Sequence, residues 1–277
     1  MLGAIIGDIV GSRFEFDNIK TKEFELFDIG CDFTDDTVMT VAVAEAMMDL
    51  RQEGIIKLAK ESDTLVDEVH YALVDSLKKW GRTYPAAGYG GRFNIWLKLY
   101  DREPYNSFGN GSAMRCSACG WIAKDLEEAI LLGRWSAEVT HNHPEGVKGA
   151  EAVSAAIFMS RTGSSKEQIA EFIADRFGYD LDLSCDGLRP FYKFDETCQG
   201  TVPEAIVCFL EADSYEDAIR NAISIGGDSD TIGAITGGIA EAYFGIPKEL
   251  KLAAVEYLDK EMIEVINRFY ERYGKIK

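Results

Sequence analysis

Between Thr37 and Leu50 the chain reads TVMTVAVAEAMMDL, apolar on nearly every side of a 3.6-residue period, with two adjacent acids, Asp35 and Asp36, directly in front of it. A helix that is apolar all round lies inside a core, so its first turn, and the acids with it, are carried inward. A buried carboxylate without a partner is costly, and the free N–H groups and positive dipole end of a helix compensate one acid more readily than two. Either one acid simply caps the helix, or a cation or a strong donor set stands nearby.

The same pattern recurs in Gly226-Gly227-Asp228-Ser229-Asp230-Thr231-Ile232-Gly233, again leading into an apolar helix. An EF-hand would need an oxygen ligand at the loop's fifth position and Glu at its twelfth; Ile232 and Ile239 stand there, so that reading fails. Gly233, Gly237 and Gly238 each cost about 1 kcal/mol relative to alanine within a helix, a penalty that makes sense where a neighbouring helix or a ligand approaches the backbone. Together the clusters offer four carboxylates and two threonine hydroxyls without cysteine or histidine. Such an all-oxygen set suits Mg2+ or Mn2+ better than Zn2+, and four acids suffice for two ions.

Helical periodicity dominates the rest of the chain. It predicts helices over 57–80, 125–138, 145–161, 166–177, 203–211, 214–224, 230–243 and a final one over 248–273, and the start, GDIVGSRFEF, reads as glycine turns around Asp8. Alternating strand patterns are scarce, 81–109 and 178–202 read as irregular, and no repeat is visible. The expectation is one all-α domain over residues 1–277.

Charge narrows the partners. With 29 Lys+Arg against 47 Asp+Glu the chain carries −18 and repels phosphate backbones and anionic membranes. No run of 18 apolar residues is present, and the first residues lack a basic region and carry Asp8, so the chain reads as cytoplasmic, with no membrane partner. Six cysteines show no framework spacing and read as reduced thiols; Cys116 and Cys119 form one CxxC, which lacks the second pair that a zinc site needs.

Three further segments are candidates. Gly109-Asn110-Gly111-Ser112-Ala113-Met114-Arg115 can present backbone N–H groups and the Ser112 hydroxyl to a phosphate, or form a plain turn. Thr140-His141-Asn142-His143-Pro144 holds two of the three histidines and either binds a polar ligand or caps the helix that Pro144 opens. Glu15, between Phe14 and Phe16, is a carboxylate in apolar surroundings, suited to general acid or base work if it is not simply a surface glutamate.

Read in order, the blocks GDIVGSRFEF, TDDTVM, GNGSAMR, THNHPEGVKGA and GGDSDTIGAITG resemble the ADP-ribosylglycohydrolase family, the group that includes dinitrogenase reductase-activating glycohydrolase. The resemblance spans roughly residues 3 to 245. It implies a single orthogonal helical bundle with a binuclear Mg2+ or Mn2+ centre whose ligands are Thr34, Asp35, Asp36, Asp228, Asp230 and Thr231. It further implies that Gly109, Asn110, Gly111 and Ser112 bind phosphate, with His141 preferred to His143, and that Glu15 stands near the metals and the scissile bond. Ser229 replaces the threonine common in GGDTDT and keeps its hydroxyl.

The function implied is hydrolysis of the bond between C1'' of an ADP-ribosylated substrate and its acceptor, a protein side chain, nucleobase or small molecule, with Glu15 or Asp36 assisting proton transfer. The alternatives are a metal-dependent phosphohydrolase using the same acids on the pyrophosphate, and an inactive ADP-ribose-binding relative. The motifs leave the acceptor, the choice of ion and the oligomeric state open.

Overall fold

The computed structural model describes residues 1–274. Its elements are sixteen helices: α1 (Leu2–Ser12), α2 (Asp35–Gln52), α3 (Ile55–Ala59), α4 (Asp63–Thr83), α5 (Gly91–Lys98), α6 (Gly111–Met114), α7 (Ser117–Ile122), α8 (Leu126–Glu138), α9 (Pro144–Arg161), α10 (Lys166–Phe177), α11 (Cys185–Leu188), α12 (Cys198–Leu210), α13 (Tyr215–Ser224), α14 (Ser229–Phe244), α15 (Lys248–Val255) and α16 (Lys260–Tyr273). Among the described residues the only β feature is an isolated bridge between Gly109 and Thr197. The all-α expectation is correct. No helix among the described residues is long and apolar enough to cross a membrane.

One hydrophobic cluster draws on all sixteen helices. At its centre α14 packs against α1, α9, α12 and α13, and α2 packs against α4 and α7. As its composition demanded, α2 is buried from Asp36 to Leu50 apart from Glu45 and Asp49. Its first turn is therefore held inside the protein, as is that of α14.

Several boundaries differ from the sequence expectation. The first residues form α1 rather than glycine turns: Gly3, Gly7 and Gly11 fall four residues apart on one helix face and press onto α14. The neighbour that Gly233 and Gly237 admit is thus a helix, α1, whereas Gly238 meets only ordinary contacts. The region 57–80 is two helices, α3 and α4. The region 248–273 is also two, because Asp259 accepts from Glu261 N and Met262 N and starts α16 afresh. α12 starts at Cys198, where Thr197 caps it, and carries Pro203 inside rather than at its first turn. The stretch 81–109 contains α5, and α11 lies within 178–202.

Candidate active site

Three helices bring the acids together. Asp8, fully buried on α1, accepts hydrogen bonds from Thr34 N (2.9 Å), Thr34 Oγ1 (2.7 Å) and Thr37 N (3.0 Å), fastening the start of α2 to α1. Thr34 caps α2 by accepting from Asp36 N and lies 3.4 Å from Asp230 Oδ2 on α14. Thr231 donates to Asp36 Oδ2 (3.3 Å), and Asn110 Nδ2 donates to Asp228 Oδ2 (2.6 Å). The two aspartate clusters, distant in sequence, therefore touch directly. Glu15 joins from the loop after α1, and oxygens of Glu15, Asp228 and Asp230 lie within 4.8 Å of one another.

Among the described residues no lysine, arginine or histidine forms an ion pair with Asp8, Glu15, Asp35, Asp36, Asp228 or Asp230. Burial consequently raises every one, and acidic neighbours add to it at Glu15, Asp35, Asp36, Asp228 and Asp230. Burial, opposed by its threonine hydrogen bonds, lifts Asp8 to about 6. Burial and the charges of Asp230 and Asp8 push Glu15 up to about 8. Burial lifts Asp228 to about 6 despite hydrogen bonds with Asp230 and Asn110. Asp35, Asp36 and Asp230 are raised well above the carboxylate range, first by burial and then by their acidic neighbours. Asp36 Oδ1 is buried without any hydrogen-bond partner. A cluster of this kind is neutralised by protons or by cations, and an orphaned carboxylate oxygen in an all-oxygen set fits a hard divalent ion.

A cavity of about 470 Å³ opens over the cluster. Glu15, Asp35, Asp36, Asp228, Asp230 and Thr231 line it together with Gly109, Asn110, Gly111 and His141, so most of the expected site residues meet in one space. Thr34 and Ser112 stand behind the wall. The fully buried Ser112 hydroxyl donates to Gly146 O (2.6 Å), which leaves it no free proton for a phosphate.

The histidines separate. His143 caps α9 by accepting from Glu145 N at Nδ1, while His141 is buried in the cavity wall. Burial and the nearby charges of Arg115 and Arg92 depress His141, so it is neutral near pH 7. Arg115 donates to Thr140 Oγ1 (2.8 Å), which in turn lies 2.7 Å from His141 Nδ1. An arginine only donates, so the hydroxyl can give its proton to Nδ1; in that arrangement the ring proton sits on Nε2, the nitrogen beside Gly109 and Gly111.

Asp8, Thr140 and the charge of Arg115 are the residues to which sequence reasoning gave no role. Their signals were a lone acid inside an apolar run and an arginine closing the glycine loop. Cys116 and Cys119 are plain core residues, donating to Ala113 O and Leu132 O, and burial pushes the Cys116 thiol up to about 12.

The family model described as ADP-ribosylglycohydrolase matches residues 1–276. The chain belongs to the ADP-ribosylglycohydrolase family. As a member it is a hydrolase acting on glycosyl bonds. It is 24% identical to human ADP-ribosylhydrolase ARH3, over 98% of this chain and 93% of that one. It is 22% identical to ADP-ribosylarginine hydrolase Tri1 of Pseudomonas putida, over 97% and 77%. A solved structure described as an ADP-ribosylglycohydrolase-related protein complex superposes with a TM-score of 0.67 at 21% identity, covering 98% of this chain and 95% of that one, and so shares the fold.

Proposed function

We propose that the protein cleaves the bond between C1'' of ADP-ribose and its acceptor, releasing ADP-ribose, with two Mg2+ or Mn2+ ions held by Thr34, Asp35, Asp36, Asp228, Asp230 and Thr231. The observation that carries this reading is the meeting of two unpaired aspartate clusters in one cavity with the Gly109–Gly111 loop and His141. Bound there, such ions supply Lewis acidity toward a ribose hydroxyl and lower the pKa of a water.

The chain's own residues supply the rest. Gly109 N already donates to Ser107 Oγ and Asn110 N to Glu196 O, so within the glycine loop the backbone donor left for a diphosphate at the cavity wall is the N–H of Gly111. His141 adds its Nε2–H as a neutral donor. Asn110 holds the Asp228 carboxylate in orientation. Glu15 is better placed than Asp36 to move a proton, because it is half-buried in the cavity wall and unencumbered, whereas Asp36 Oδ2 is held by Thr231. Its carboxylate takes a proton from the attacking water as an oxocarbenium-like state develops at C1'' and the water oxygen bonds there, while the acceptor departs with the bonding pair and is protonated from solvent.

Calorimetric titration of EDTA-treated protein with ADP-ribose, with and without Mg2+ or Mn2+, tests the reading. Metal-dependent binding is expected; no binding in either condition removes it.

A further inference from the structure

Glu15 stands beside the buried aspartates, yet a loop carries it. Oxygens of Glu15, Asp228 and Asp230 lie within 4.8 Å of one another, and like charges at that spacing repel. A glutamate on an untethered loop would therefore swing away into solvent. The loop begins as a continuation of α1, with Phe14 N donating to Gly11 O (2.8 Å) and Glu15 N to Ser12 O (3.5 Å). Its far end is held by the exposed Asn18.

The Asn18 carboxamide ties this loop to the segment before Asp228. Its Nδ2 lies 2.6 Å from Phe14 O, 3.1 Å from Glu15 O and 2.9 Å from Gly227 O, and its Oδ1 accepts from Gly227 N (2.7 Å). Both backbone groups of Gly227 thus pair with one side chain. The pairing needs a turn: Gly226 and Gly227 hold φ of +71° and +80°, in the left-handed region that favours glycine, and a Cβ on Gly227 would lie 2.3 Å from the Tyr192 ring. Lys20 adds a second strap, donating to Tyr192 O (2.9 Å) and Ile225 O (2.5 Å). A carboxamide offers donor and acceptor on one rigid plane; an aspartate at 18 would lose the donor and add a negative charge beside Gly227.

We infer that Asn18 is a positioning residue for the hydrolysis: by bonding the backbone of Phe14 and Glu15 to Gly227, it holds the Glu15 carboxylate beside Asp228 and Asp230. This rests on the proposed glycohydrolase reading, in which Glu15 takes the proton of the attacking water. Asn18 itself stands outside the cavity lining, so it touches no reacting atom. A misplacement of about 1 Å in a group that moves a proton costs on the order of a hundredfold in rate, and the loop passes such a shift from Asn18 to Glu15. The substrate's own contacts are left in place, so the loss falls on kcat rather than KM.

The test is a double-mutant cycle of Asn18→Ala and Glu15→Gln with Mn2+, on an ADP-ribosylated guanidine and an ADP-ribosylserine peptide, with the Mn2+ affinity of each protein measured calorimetrically without substrate. Asn18→Ala is expected to lower kcat about thirtyfold with KM within about twofold, and to lower it less than about twofold further once Glu15 is replaced. The Mn2+ Kd should stay within about twofold of wild type. Equal losses in both backgrounds, or a Mn2+ Kd raised about tenfold or more, would put the effect of Asn18 on the fold or on Asp228 and overturn the inference. A wild type that cleaves either substrate and an Asn18→Ala protein of equal kcat also overturn it, leaving the glycohydrolase reading intact. A wild type that cleaves neither overturns that reading, and the role of Asn18 with it.

Discussion

A methyl group on Gly7 would lie 1.9 Å from the carbonyl oxygen of Gly233, and one on Gly233 would lie 2.5 Å from the carbonyl oxygen of Gly7. α1 and α14 therefore meet backbone to backbone. Asp8 follows Gly7, and the Cβ position of Gly11 is 2.5 Å from the Cα of Asp230. The glycine contact thus sets how closely the acids of the two helices approach.

Gly7→Ala should destabilise the protein by about 2–4 kcal/mol, since the obstructing atoms are backbone and cannot rotate away. Gly238→Ala, whose nearest neighbour is 3.5 Å away, should be neutral or slightly stabilising through helix propensity. Urea denaturation of both variants checks this, and a Gly7→Ala protein as stable as wild type contradicts the packing.

Asp230→Asn removes a buried charge with little change of shape. Turnover should fall at least a hundredfold, while the metal-free variant at pH 8 should melt no lower than metal-free wild type, because a repulsive carboxylate is gone. Stabilisation by added Mn2+ should shrink with it. Calorimetric melting with and without the ion reads both effects, and a variant with wild-type turnover removes Asp230 from the site.

The metal-free protein should lose stability as pH rises. Asp8 and Asp228 near 6, against 3.8 ordinarily, and Glu15 near 8, against 4.5, keep protons in the folded state that the unfolded chain has released. The native state then binds more protons, so these groups make the unfolding free energy fall with pH from about 4 to about 8. Saturating Mg2+ or Mn2+ takes the place of those protons and should flatten the slope. Melting temperatures across this window are the measurement; stability that rises with pH in EDTA contradicts the cluster's electrostatics.

Thr140→Val breaks the link between Arg115 and His141. ADP-ribose binding should weaken about tenfold, with a shift in the imidazole 15N resonances that reports loss of the Nε2-protonated form, and Thr140→Ser should restore both. Unchanged resonances would mean that Thr140 does not set the tautomer.

Much of this site could be read from the chain because Asp35-Asp36 and Asp228-Asp230 each abut a helix too apolar to lie on a surface. Asp8 escaped because Gly3, Gly7 and Gly11, which allow α1 to press on α14, look like turn residues in isolation. Ser112 shows what a motif leaves out: its place in the glycine loop suggests a free hydroxyl, and the acceptor of its proton, Gly146 O, comes from another helix. The break at Asp259 was missed because apolar spacing continues across it, and a capping residue marks the interruption only once its backbone partners are known.

The most direct measurement is the identity of the product released from an ADP-ribosylated guanidine by the protein with Mg2+ or Mn2+ and with EDTA, followed by chromatography and mass spectrometry. Free ADP-ribose, formed with the ion and not with EDTA, is the expected result. AMP with a ribose phosphate adduct, or ADP-ribose released equally well in EDTA, would contradict metal-dependent cleavage at C1''.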